Sequence, residues 1–238
     1  MDEPLVITGP DARHLAVVRR AAPGEGVRVS DGRGRVIEGR LDTVSATRVE
    51  ATVVGDRRVE TPRPGVQMYL GLAKGDKVDQ VIRQLVELGV DAMTVFQAGR
   101  SVSRWDQARA SAARFRWAVI AREAAKQSHR AWLPAVGGPL PSAAAAAEEA
   151  AAQLPTAGLV AHPQAAMPIR EAFGQLGAGT DRVWLAVGPE GGLSPDEVAS
   201  FGAAGGMAVT LGTQILRAQT APIVLASLTL YQLGRFDG

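Results

Sequence analysis

An α/β fold with a mostly parallel sheet, preceded by a smaller β-rich domain, is predicted by three features of the sequence. Two apolar runs near the C-terminus, Arg182 to Val187 and Met207 to Leu211, each end in a glycine-containing loop that leads into a helix start. Upstream, a strand (Val66 to Leu72), a helix with Val78, Val81, Ile82, Leu85 and Leu88 at helical spacing, and a second strand (Val90 to Phe96) form a unit of parallel type. Before Thr61-Pro62-Arg63-Pro64-Gly65, through which no regular element continues comfortably, the strands are short and joined by turn residues. The domains are therefore drawn at residues 1–65 and 66–238.

The 238 residues suffice for a substantial core, and 46% apolar residues argue against general disorder. The absence of cysteine removes disulfide, thiolate-metal and thiol redox chemistry and suits a cytoplasmic protein. No signal-peptide pattern and no apolar run of membrane-spanning length is present, so no membrane partner is expected. A net charge of +2 says little about partners, but its distribution says more. Residues 97–130 hold Arg100, Arg104, Arg109, Arg114, Arg116, Arg122, Lys126 and Arg130 against Asp106 and Glu123 alone. Arginine outnumbers lysine 23 to 3, but the Ala- and Gly-rich composition points to GC-rich codons, so the weight rests on the clustering.

Taken in order, Gly9 to Arg19 reads as a short helix whose His14 and Arg19, with Arg20, either touch phosphate or form a solvated face. Strands follow at Val27–Val29, Val36–Leu41 and Arg48–Val54. Between the first two, Ser30-Asp31-Gly32-Arg33-Gly34 is a turn and not a nucleotide loop, because it lacks the G-x-G-x-x-G spacing. Asp76 is placed to cap the helix that Gly89 ends. A helix from about Trp105 to Ser128 carries Ala108, Ala112, Phe115 and Val119 on one face, with Phe115 read as core. Arg122, Lys126 and Arg130 step along another face, as an RNA-backbone contact or a solubilising surface. Trp105, Trp117 and His129 either stack on bases or pack internally. Pro139 to Gln153, with five consecutive alanines, reads as a helix of structural padding. Leu159 to Pro163 is a short strand ending in a loop, which brings His162 to the edge shared by the glycine loops, and a helix follows at Pro168 to Phe173.

The first glycine loop has Gly188, Gly191 and Gly192, which permit positive φ and let backbone N–H groups approach a ligand. Ser194 as N-cap, Pro195 at the first helical position and Glu197 completing a capping box mark the helix behind it, with Leu193 and Val198 as a hydrophobic staple. The second loop, Leu211 to Arg217, leaves the same edge, which is where open α/β sheets bind ligands. Missing are G-x-x-x-x-G-K-[ST], the dinucleotide fingerprint, H-E-x-x-H or clustered metal ligands, and G-x-S-x-G. NTPase, dehydrogenase, zinc protease and serine hydrolase readings lose support, and no metal is expected. What remains suits a neutral, amide-rich cofactor and an RNA substrate.

Val187-Gly188-Pro189-Glu190-Gly191-Gly192 with Leu211-Gly212 and Ile215-Leu216-Arg217 resembles the bacterial 16S ribosomal RNA uridine-N3 methyltransferase family of the SPOUT superfamily. The likeness continues through His14 to Arg19, Leu72-Ala73-Lys74-Gly75-Asp76-Lys77, Glu87-Leu88-Gly89-Val90, Arg100-Ser101-Val102 and Glu123-Ala124-Ala125-Lys126-Gln127-Ser128, so it spans nearly the whole chain. The resemblance implies a PUA-like β-barrel RNA-binding domain, a SPOUT domain closed by a trefoil knot, and a homodimer acting on 16S rRNA in the 30S subunit. It implies S-adenosylmethionine held by His162, Gly188, Glu190, Gly191, Gly192, Leu211, Gly212, Ile215, Leu216 and Arg217, with Arg217 the catalytic candidate. RNA contacts are expected at His14, Arg19, Arg20, Arg100, Arg122, Lys126 and Arg130.

Two departures stand out: Arg217-Ala218-Gln219-Thr220 replaces the usual Arg-Thr-Glu-Thr, and His129 stands where glycine is usual. Gln219 loses a carboxylate and any role as a base, while keeping hydrogen-bonding capacity. Arg217 either stabilises negative charge on a base carbonyl or pairs with a carboxylate such as Glu190; Glu190 and His162 are candidate proton acceptors. A non-catalytic RNA-binding or ribosome assembly factor, and a SPOUT methyltransferase of another RNA, are the alternatives.

Overall fold

The computed structural model describes residues 4–101, 105–153, 156–177 and 180–237; Val102 and Arg104 of the basic segment lie outside them. The chain forms two compact units. The N-terminal unit runs to Thr61 and takes in Arg130–Trp132. Its strands β1 (Leu5–Thr8), β2 (Gly26–Ser30), β3 (Arg35–Val44) and β4 (Arg48–Arg58) make an antiparallel sheet in the order β1-β4-β3-β2. Helix α1 (Gly9–Arg13) continues as a π-helical turn (His14–Val18), and its Ala12 and Leu15 close a small core with Val27, Leu41, Val49 and Ala51.

The expected turn between β2 and β3 forms: the Asp31 carboxylate accepts the N–H groups of Arg33 (2.6 Å) and Arg35 (3.1 Å). The Arg33 bond foremost holds that carboxyl below its ordinary value. A Cβ on Gly34 would lie 2.6 Å from the Trp132 ring, and the indole Nε1 donates to the Val59 carbonyl at 3.0 Å. Trp132, to which sequence patterning assigned no role, thus fastens the turn. The four-residue β1 was also missed, being too short to show alternation.

The second unit holds a parallel sheet of β5 (Gly65–Gly71), β6 (Ala92–Phe96), β7 (Ala135–Leu140), β8 (Thr156–Ala161), β9 (Met167–Pro168), β10 (Arg182–Val187) and β11 (Gly206–Thr210), in the order β7-β6-β5-β10-β8-β11-β9. Its helices are α2 (Lys77–Leu88), α3 (Gln107–Gln127), α4 (Ala143–Ala151), α5 (Ile169–Phe173), α6 (Pro195–Ala203) and α7 (Thr220–Gln232). The central strands are mostly apolar because both faces are covered, with Gln67 and Thr94 buried and hydrogen-bonded to each other. Met68, Leu70, Val183 and Leu185 point into one core cluster with α2, α3 and α7, and Tyr69, Trp184 and Ala186 into another with α4 and α6. Cβ atoms at Gly158 and Gly206 would collide with the Trp184 ring, so both strands need glycine there.

Four expectations are corrected. The alanine helix α4 is core and not padding, because Ala143, Ala146, Ala147 and Ala150 are buried on one stripe, and Pro139 belongs to β7. On α3 the buried stripe is Ala113, Trp117, Ala121, Ala124 and Ala125, while Phe115 is 75% and Val119 47% exposed. Trp117 sets that rotation: fully buried, it stacks on Trp105 at 5.6 Å and donates its Nε1 to Asp79 at 3.0 Å. Both tryptophans are therefore packing residues. Asp76 occupies the N-cap position of α2 without a capping bond, its carboxylate accepting instead from the Gln80 amide. Finally, α3 stops at Gln127, so Arg130 does not continue the stripe of Arg122 and Lys126; the chain turns away through His129 at φ +57°. That left-handed conformation favours glycine, the residue usual at this position in the family resembled.

Candidate active-site cleft

Strands β10, β8 and β11 are neighbours and parallel, with Val187 opposite Ala161 and Ala161 opposite Val209. Their loops must therefore emerge together, and they line a cleft open to solvent. Of the residues expected at a cofactor, His162, Gly188, Glu190, Gly192, Leu211, Gly212, Ile215 and Leu216 line it; Gly191 and Arg217 do not. Thr210, Ala218 and Ala221 line it too and had no assigned role.

Glycine is required where these loops press together. A Cβ on Gly188 would lie 2.9 Å from the Gly192 carbonyl carbon, and one on Gly191 would lie 2.8 Å from Arg100 Cβ. Gly71, at the end of β5, is the floor under the first loop: a Cβ there would sit 2.5 Å from the Pro189 nitrogen. Gly192 and Gly212 have φ of +70° and +124°. Behind the loop the expected capping box forms on α6, with Ser194 accepting from the Glu197 N–H and Glu197 from the Ser194 N–H. The other Glu197 oxygen accepts the Gly99 N–H at 2.8 Å, tying the loop after β6 to the same helix start.

Glu190 accepts Lys77 Nζ at 2.6 Å and the Lys74 N–H at 3.3 Å. Partial burial pushes its carboxyl up, but the Lys77 and Lys74 hydrogen bonds outweigh this and hold it below the ordinary value of 4.5. Glu190 is thus held as an anion, and the lowering makes it a weaker base than a free carboxylate. Arg217 does not pair with it. The Arg217 side chain is exposed and its carbonyl accepts the Thr220 and Ala221 N–H groups at the start of α7. Gln219 stands at the N-cap position with no side-chain capping bond, so the departure that faces the cleft is Ala218. His162 Nδ1 accepts the Gln164 N–H at 3.3 Å, so the neutral imidazole carries its proton on Nε2 and is a donor there. Lys74 and Lys77 belonged to a stretch that supported the resemblance, yet no spacing rule connects them with Glu190; only the fold does.

The residues expected at RNA are dispersed over both units. His14, Arg19 and Arg20 follow one another at the π-helical turn, with Arg20 at φ +51°. Arg100 donates to the Gly191 carbonyl at 3.3 Å, Lys126 pairs with Glu123 at 2.9 Å, and Arg122 is exposed on α3.

Residues 60–230 match the RNA methyltransferase domain family, and residues 7–54 the RNA methyltransferase PUA domain. The chain is similar to the Ribosomal RNA small subunit methyltransferase E of Mycobacterium bovis, with 36% identity covering 98% of this chain and 88% of that protein. The protein of the same name from Bacillus subtilis is 31% identical, covering 95% and 89%. Among solved structures, that of the Neisseria gonorrhoeae Ribosomal RNA small subunit methyltransferase E bound to S-adenosyl methionine superposes with a TM-score of 0.82 and 27% identity, covering 97% of this chain and 93% of that one.

Proposed function

Because the chain belongs to the Ribosomal RNA small subunit methyltransferase E family, we propose that it methylates N3 of a uridine in the decoding region of 16S rRNA, using S-adenosylmethionine. The observation that carries this is the convergence of three strand-end loops, 161–163, 187–193 and 210–218, on one cleft. The cleft suits the cofactor: Leu211, Ile215 and Leu216 offer apolar surface for a flat base, the glycines bring backbone groups close, and His162 offers a donor. When bound there, the cofactor supplies an electrophilic methyl group. Residues 1–65 are the RNA-binding module of this reading, with the 30S subunit as substrate.

Uridine N3 becomes nucleophilic as its proton leaves, and negative charge spreads to the flanking carbonyl oxygens. Arg217, at the rim, unpaired by Glu190, is the group that stabilises this charge. Glu190, held ionised by Lys77, and His162, a donor at Nε2, hold the cofactor, and the N3 proton passes to solvent at the open cleft. The loops supply alignment of the methyl group with N3. The protein acts as a cytoplasmic homodimer with a knotted SPOUT domain. In support of a second copy, α7, whose Ala221 lines the cleft, leaves Leu228 and Tyr231 exposed. Among the described residues no helix is long and apolar enough to cross a membrane.

Labelled cofactor and 30S subunits from a strain lacking the activity test the assignment. Label on N3 of one 16S uridine, mapped by mass spectrometry, is expected; label on another nucleotide would shift the target, and no incorporation would refute the activity.

A further inference from the structure

Helix α3 has two apolar stripes, and the fold covers one of them. Opposite the buried Trp117 stripe, Phe115 and Val119 are exposed, and Ala108, Ala112 and Ala118 stand in solvent with them. At 3.6 residues per turn, Arg122 and Lys126 extend the Phe115 stripe, with Arg122 about 10 Å further along the axis. Within α3 the charged residues are Arg109, Arg114, Arg116, Arg122 and Lys126 against the single acid Glu123; Lys126 pairs with Glu123 and Arg116 with Asp79 of α2, both at 2.9 Å.

We propose that this stripe docks an unpaired nucleotide of the RNA substrate, with its base stacked on Phe115 and its flanking phosphates against the cationic end of the helix. The inference rests on the RNA methyltransferase reading and adds to it the element that grips the substrate strand. A solvent-facing aromatic with the exposed Arg122 along its stripe, on a helix whose one acid is Glu123, matches a polyanion that carries flat apolar rings. A second copy of the chain fits poorly: a two-fold contact opposes a patch to itself, which would set arginine against arginine. The residue is also free to serve in this way, because Trp117 and the alanines already fix α3 on the sheet.

The test compares wild type, Phe115→Ala and Phe115→Trp for binding a fluorescein-labelled RNA fragment of the 16S decoding region, with cofactor affinity and sedimentation measured alongside. Phe115→Ala is expected to weaken RNA binding roughly 5- to 150-fold, the range for one lost stacking platform. Phe115→Trp is expected to retain affinity and to show an additional indole signal quenched by RNA. Unchanged RNA affinity in Phe115→Ala, while wild type binds the fragment and methylates 30S subunits, would overturn the stacking role alone. A change of oligomeric state in Phe115→Ala would assign the stripe to a protein contact and overturn it too. If wild type itself neither bound the RNA nor methylated it, the underlying reading would fall.

Discussion

Gly71→Ala is the sharpest probe of how the cleft is shaped. The added Cβ would lie 2.5 Å from both the nitrogen and Cδ of Pro189 and 2.8 Å from the Gly188 carbonyl carbon, against an ordinary contact of 3.4–4 Å. A backbone and a proline ring cannot rotate away, so either the loop retreats by roughly 1 Å or β5 distorts, at a cost of about 1–3 kcal/mol. If the loop yields, the cost falls on the cofactor, and S-adenosylmethionine should bind about 5- to 150-fold more weakly by calorimetry. If the strand yields, the melting temperature should fall by about 2–4 °C per kcal/mol for a protein of this size. Gly202→Ala is the control, since its Cβ meets nothing within 4 Å and it sits inside α6. There alanine should be neutral or stabilising by up to about 1 kcal/mol. A Gly71→Ala protein with wild-type melting and wild-type cofactor affinity would show that the close approach of the first loop to β5 does not shape the site.

Arg217→Ala should slow methyl transfer on the order of a hundredfold, as for a lost charge-stabilising group. Because Arg217 does not line the cleft, calorimetry should find cofactor affinity unchanged; normal turnover would remove it from catalysis. Lys77→Met removes the partner that keeps the Glu190 carboxyl below 4.5. The stability this pair adds is present above 4.5 and is lost as pH falls through the lower folded-state value, so the wild-type advantage in urea denaturation should be constant near neutrality and shrink in acid. A gap that widened in acid would contradict the assigned direction. His129→Gly relieves a left-handed side chain and should raise stability by up to about 1 kcal/mol, read as a higher melting temperature.

The parallel-sheet unit was legible where local chemistry is strong. Ser194, Pro195 and Glu197 announce α6, Gly89 ends α2 at φ +104°, and the apolar runs of β5 and β10 mark strands buried on both faces. Helical periodicity failed on α3 because it carries two apolar stripes, and the choice between them depends on Asp79 of another helix receiving Trp117. The alanines of α4 were undervalued because small side chains carry a weak hydrophobic signal while permitting close packing. At the cleft, the glycines could be named from sequence, but Gly71 beneath Pro189 and Lys77 on Glu190 arise from contacts between residues far apart in the chain.

The strand order carries a consequence for synthesis. Gly65 of β5 pairs with Arg182 of β10, and β11 slots between β8 and β9, so segments made late enter a sheet whose neighbours were made early. As the chain leaves the ribosome, the β10-facing edge of β5 must wait, unpaired, for its partner. Closing so long a loop before any contact rewards it makes folding slow and leaves an apolar edge liable to aggregation. The residues lining the cleft lie within 161–221, so a chain halted before β11 has six of the seven strands and still lacks the wall built by residues 210–218.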